Sequence, residues 1–174
     1  MTGRRVAEVG AAMALVCALA GCSGSGEGKD YATPKSLCGV SIDPDLIEPF
    51  LPAGKEIAVQ KKTPVPSRTR CQVNVDGKVA FVASQEWWER GDTITDVAAS
   101  HTRIDADKSA DGEKYLYSGM GGFGRAGSCT NTEHPEHALF TVAQVFADGH
   151  EDAPAMRRLI TAYTKSVERS SVCR

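Results

Sequence analysis

The chain has no apolar run long enough to cross a bilayer as a helix. Its longest, Val9 to Leu19 (VGAAMALVCAL), has 11 residues, and a hydrocarbon core needs about 20. Nor is there an excess of basic residues: 20 Lys and Arg stand against 22 Asp and Glu, a formal charge of −2. With no basic cluster to break that balance, a nucleic-acid binder is not expected. No Gly-x-Ser-x-Gly elbow is present, so the commonest signature of a serine hydrolase is missing. No internal repeat is visible either, and solenoids and propellers drop out with it.

What is present begins at the N-terminus. Arg4 and Arg5 make a positive start, the short apolar run follows, and Leu19-Ala20-Gly21-Cys22 ends the segment. A run this short reads as an export signal, cleaved between Gly21 and Cys22. Leu-Ala-Gly-Cys resembles the lipobox of bacterial lipoproteins. The resemblance implies that the Cys22 thiol receives a diacylglycerol and that Cys22 becomes the new N-terminus, with further acylation of the palmitate type. Two acyl chains anchor stably where one is marginal. Glu8 at the edge of the apolar run departs from the ideal pattern, and the Arg pair hints at twin-arginine export. The expected address is the extracytoplasmic face of the cell membrane, held through lipid on Cys22.

Removing residues 1–21 from the 174 leaves 153, one domain's length, with 18 basic and 21 acidic residues. Residues 22–37 read as the lipidated cysteine and a flexible polar tether, Ser23 to Ser36 being rich in Gly and Ser. Residues 38–174 read as a single domain. With Cys17 lost and Cys22 acylated, Cys38, Cys71, Cys129 and Cys173 remain. An even number outside the cytoplasm reads as two disulfides. Of three pairings, Cys38–Cys71 with Cys129–Cys173 is expected, because sequence neighbours staple each half separately.

Asp43-Pro44-Asp45 predicts an N-capped helix that Pro49 and Pro52 keep short. Ile57 and Val59 alternate as a strand. Cys71, Val73 and Val75 alternate before an Asp76-Gly77 turn, and Val79–Ala83 returns as a strand apolar on both sides. Thr93 opens a helix with Ile94, Val97, Ala98 and Ile104 on one face. Tyr115–Tyr117 and the stretch through Cys129 predict two short strands around a glycine-rich loop. Ala138–Ala147 reads as a central strand, and Met156, Leu159, Ile160, Tyr163 and Val167 mark a final amphipathic helix. Without regular βαβ alternation the expected class is α+β: a mostly antiparallel sheet of about five strands with two main helices on one face.

Several motifs invite chemistry. Gly119 to Gly124 satisfies G-x-G-x-x-G, but Arg125–Pro135 is too polar to be the helix a pyrophosphate needs. A flexible loop or bulged hairpin is expected there. Asp107–Gly112 matches half a calcium loop, with Ser118 where the bidentate acid belongs. His134, His137, Glu133 and Glu136, near Cys129, could ligate a soft metal; an exposed loop is the expected reading. His101 reads as a satisfied, half-buried histidine. Trp87-Trp88 stands apart. Neighbours on a strand point oppositely, so one indole enters the core, and the other either packs beneath the Asp92–Ile104 helix or is left to stack on a sugar or anchor a partner. Trp87 and Trp88 are therefore the candidate binding residues. No catalytic residue, metal ligand or cofactor is assigned.

The lipobox, the tether, Ser36-Leu37-Cys38-Gly39, the Asp43–Leu51 helix, Arg70-Cys71 in a Val-rich hairpin, Glu86-Trp87-Trp88 and a final helix ending in Cys173 together resemble small lipoproteins of unknown function from high-GC Gram-positive bacteria. That resemblance implies a non-enzymatic envelope protein and a compact antiparallel sheet, and supplies no functional residues. The expectation is a membrane-anchored binding module for an envelope protein or small ligand; the alternatives are a cell-envelope hydrolase and a metal-capture protein.

Overall fold

The computed structural model describes residues 28–174. The signal peptide, the Gly21–Cys22 junction and the start of the tether lie outside the described residues. Among the described residues no helix is long and apolar enough to cross a membrane.

Two strands, β1 (Ser36–Leu37) and β2 (Val40–Ser41), form a small ribbon. Its turn places Cys38 (φ 51°) and Gly39 (φ 94°) in the left-handed region. Helix α1 (Pro44–Ile47) then opens on Asp43, whose carboxylate accepts the Asp45 N–H at 3.1 Å. It tightens into a 3-10 turn over Glu48–Phe50, where Pro49 has no N–H to continue the α ladder. Leu37, Ile47, Phe50 and Leu51 are fully buried.

Strands β3 (Ile57–Val65), β4 (Arg68–Val75) and β5 (Lys78–Glu89) follow as a meander. The Asp76-Gly77 turn has positive φ at both residues, 48° and 77°, the handedness that matches strand twist. The Asp76 carboxylate also accepts the N–H groups of Lys55 and Glu56, at 3.0 and 2.9 Å, and so fixes where β3 begins. After β5 a capping box of Thr93 and Asp96 starts helix α2 (Ile94–Ala99). Short strands β6 (Lys108–Ala110), β7 (Tyr115–Tyr117) and β8 (Gly121–Arg125) lead to β9 (His137–Val145), then helix α3 (Ala153–Arg169).

The main sheet is antiparallel throughout, in the order β3-β4-β5-β9-β8-β7-β6. Among the described residues the α+β class therefore stands, with seven strands in this sheet where about five were expected, and with three α-helices, the short one that opens on Asp43 and two longer ones. β9 is central, as its apolar run requires.

The helices are not on one face. Residues paired across a ladder point the same way, and neighbours along a strand point oppositely. Gly122 and Gly124 of β8 and their β9 partners Ala143 and Thr141 face α3. Phe123 and its partner Val142 pack instead with Ile94 and Val97 of α2. Two cores result. The larger joins α1, α3 and the ribbon to one face; the smaller lies beneath α2 on the other. A strand set between two cores has no polar side to alternate with, and in β9 Leu139, Phe140, Thr141, Val142 and Ala143 are all buried.

Of the two readings of the glycine-rich segment, the hairpin is the one that forms: β7 and β8 pair across it, and it is no flexible loop. Only Ser118–Met120 turns, closed by the Ser118 N–H to Gly121 carbonyl bond at 2.8 Å. A Cβ on Gly122 would lie 3.2 Å from Ile160 Cβ, and one on Gly121 would lie 2.8 Å from Ile104 Cδ1. Glycine is there because the layers above and beneath the strand approach so closely.

Both disulfides form as expected. Cys38–Cys71 ties the ribbon to β4, and Cys129–Cys173 ties the β8–β9 connection to the 3-10 turn after α3. The described part of the segment expected as tether, residues 28–37, is not free. From Gly28 it lies along the domain: the Asp30 N–H reaches the Gly54 carbonyl at 2.8 Å, Lys29 Nζ reaches the Glu48 carbonyl at 2.7 Å, and the Tyr31 hydroxyl donates to the Pro52 carbonyl. Tyr31 and Leu37 add apolar contact that a Gly/Ser tether lacks, which is why the stretch just before Cys38 packs on the domain.

Candidate functional site

Strand β5 carries a single charged residue between Lys78 and Glu89, and that residue is Glu86. Its register sets it opposite Arg68 of β4 and Phe140 of β9, on the face that α2 covers. Only 1% of Glu86 is exposed. A bare carboxylate so buried would be costly, and the surroundings answer with donors. Oε2 receives Arg68 Nη2 at 3.0 Å, His101 Nε2 at 3.2 Å and, more weakly, the Trp88 indole N–H at 3.4 Å. Oε1 is buried with no hydrogen-bond partner among the described residues.

These contacts set the charge state. Burial by itself pushes the Glu86 carboxyl up. The hydrogen bond and charge of His101, the Arg68 guanidinium and the Trp88 N–H outweigh it and hold the group below its ordinary value. His101 is placed by the end of α2, where its N–H bonds the Ala98 carbonyl at 3.0 Å and its ring tilts against Phe123 at 5.5 Å. It is satisfied, as expected, but by a charge partner that the sequence reading did not find.

Beside this cluster lies a groove of about 570 Å³ whose walls include Arg68, Glu86, Trp87, Trp88, Asp92 and His137. The two tryptophans split between the faces as the strand dictates. Trp88 packs partly on the smaller core, and Trp87 packs partly on the larger one. Neither is fully buried and neither is free in solvent. Trp87 stacks on His134 with ring centroids 4.7 Å apart and planes 21° from parallel; His134 in turn meets His137 edge-on at 5.6 Å.

The other motifs do not form sites of their own among the described residues. His134 and His137 stand in that aromatic stack, Cys129 is in its disulfide, and no group of three or more His, Cys, Asp or Glu converges among the described residues. Asp107, first residue of the half calcium loop, pairs with Lys108 Nζ at 2.8 Å. Gly119–Gly124 provides turn and strand, with no helix after it for a phosphate to meet.

Sequence reasoning reached Trp87 and Trp88 but missed Glu86 and Arg68. The available signal was the lone acid inside an otherwise uncharged strand. Comparison with protein-family models, with curated proteins and with solved structures finds no match for this chain.

Proposed function

We propose that this chain is the precursor of a lipoprotein anchored through Cys22 at the extracytoplasmic face of the membrane, and that its folded domain binds a ligand in the Trp87–Trp88 groove. The lipobox supports the address. One observation carries the binding role: Glu86, almost wholly buried at the groove, leaves Oε1 without a donor although three donors crowd Oε2. Buried polar atoms of native proteins are rarely left so, and each exception calls for an explanation, such as strain, a catalytic role or a bound water or ion. The acids Glu89 and Asp92 line the same groove as both indoles. Such a lining favours a molecule that offers hydroxyl or ammonium donors to the acids and an apolar face to an indole.

A hydrolase would draw on the same His101–Glu86 pair. It would also need a hydroxyl or thiol on His101, and among the described residues none hydrogen-bonds to that ring. The binding reading is therefore preferred.

The test is native mass spectrometry of the full-length lipoprotein, extracted gently from its own membrane, beside Trp88→Ala and Glu86→Gln. The wild type should carry additional non-covalent mass that both variants lose. Equal masses in all three, or no bound mass in any, would sink the binding role.

A further inference from the structure

A second groove, of about 750 Å³, is on the opposite face of the sheet from Glu86. Its sequence origin is a helical stripe. Pro154, Arg158, Thr161 and Lys165 recur along α3 at intervals of three or four, with Arg157 beside them, and all line the groove. The facing wall is the sheet edge. Lys108 of β6 pairs with Tyr117 of β7, so both side chains point to the face that α3 covers.

Charge singles this groove out. Four cations line it against one acid, Asp111, in a chain whose net charge is −2. Lys108 is engaged by Asp107 at 2.8 Å. Arg157, Arg158 and Lys165 make no ion pair among the described residues, and all three are exposed. Unpaired cations kept close together repel one another, and an anion relieves the repulsion.

We propose that this groove binds a phosphate-bearing molecule. Two guanidinium forks present the planar, multiple N–H donors that match phosphate oxygens, and Lys165 and the Thr161 hydroxyl add two more donors. The volume exceeds that of a bare ion, and Tyr117, Ala153 and Ala162 provide an apolar wall for the organic part. The same chemistry is offered by an anionic lipid headgroup and by a soluble phosphate ester. The inference is independent of the Trp87–Trp88 groove, since no residue is shared.

The experiment uses the full-length lipoprotein in neutral detergent, titrated in separate arms with phosphatidylglycerol, phosphatidylcholine and glycerol 1-phosphate, with bound fraction read by native mass spectrometry. Arg157→Ala/Arg158→Ala should weaken binding by about tenfold or more, while Lys61→Ala/Lys62→Ala, the same charge loss on exposed β3, should leave it within about twofold. Lys165→Ala is the second variant and should weaken it in the same direction. Phosphatidylglycerol favoured over phosphatidylcholine, with no glycerol phosphate bound, assigns a lipid headgroup; binding of glycerol phosphate assigns a soluble ester. No phosphate-dependent binding in any arm, or equal losses in the α3 and β3 variants, overturns the proposal.

Discussion

His101 Nε2 lies 3.2 Å from Glu86 Oε2, across 15 residues of chain that include the whole of α2. That contact joins the exit of a six-residue helix to the middle of the sheet, and with Arg68 it makes one charged cluster from three separate elements. Glu86 is the shared partner, so removing it leaves Arg68 and His101 without their acceptor, and the cluster has measurable consequences.

Glu86→Ala should destabilise the domain by about 2 kcal/mol. Breaking a fully buried ion pair costs about 3–5 kcal/mol, and the figure is lowered here because the Arg68 side chain is 27% exposed. Urea unfolding of the oxidised protein near neutral pH is the measurement.

Acid should act on the same group. The folded-state pKa of Glu86 is below its ordinary value. Its ionised form therefore contributes stability that is complete above the ordinary carboxylate range and is lost as pH falls through the lower folded value. Asp76, Asp96 and Asp107 are also held low, and they remain in any Glu86 variant. Between about pH 5 and pH 3 the urea midpoint of wild type should fall more steeply than that of Glu86→Gln. Parallel curves would mean that the cluster does not favour the ionised carboxylate.

Gly124→Ala should cost about 2–3 kcal/mol, at the upper end of overpacking. Its Cβ would collide with Thr164 Oγ1 and lie 2.9 Å from Thr141 Oγ1, and those two hydroxyls are themselves hydrogen-bonded at 2.6 Å. Gly91→Ala is the control, having nothing within 4 Å of the added carbon; it should stay within about 0.5 kcal/mol of wild type. Thermal unfolding of both variants makes the comparison.

Each disulfide should matter about equally. The bridges close 33 and 44 residues, worth about 4 kcal/mol apiece when only loop-closure entropy is counted. Cys38→Ala/Cys71→Ala and Cys129→Ala/Cys173→Ala should each lower the urea midpoint by a similar amount. Peptide mapping without reduction should return only these two cross-links.

What the sequence disclosed was local. Asp76-Gly77 forms its turn from two residues, Asp152 caps α3 through the Ala155 N–H at 2.8 Å, and of three possible cysteine pairings the one between sequence neighbours forms. What it concealed depended on distant partners. Arg68 meets Glu86 only because β4 and β5 adopt one register, and His101 joins them only because α2 ends at Ala99 and turns back. Gly119–Gly124 left a flexible loop and a bulged hairpin both open, because glycine signals a turn by its own conformational freedom. Its place in a strand is explained by Ile160 and Ile104, residues far along the chain. The covering of both sheet faces did have a local signal in the unbroken apolar character of Val79–Ala83 and Ala138–Ala147, which a one-sided sheet does not need.

The proposed address rests on four residues at the start of the chain, and one measurement tests it directly: the intact mass of the mature protein taken from the membrane fraction, under denaturing, non-reducing conditions. The account predicts a chain beginning at Cys22, increased by a diacylglycerol and acylation, and lighter by the four hydrogens of two disulfides. A chain that retains residues 1–21, or one that carries an unmodified Cys22 thiol, would contradict it.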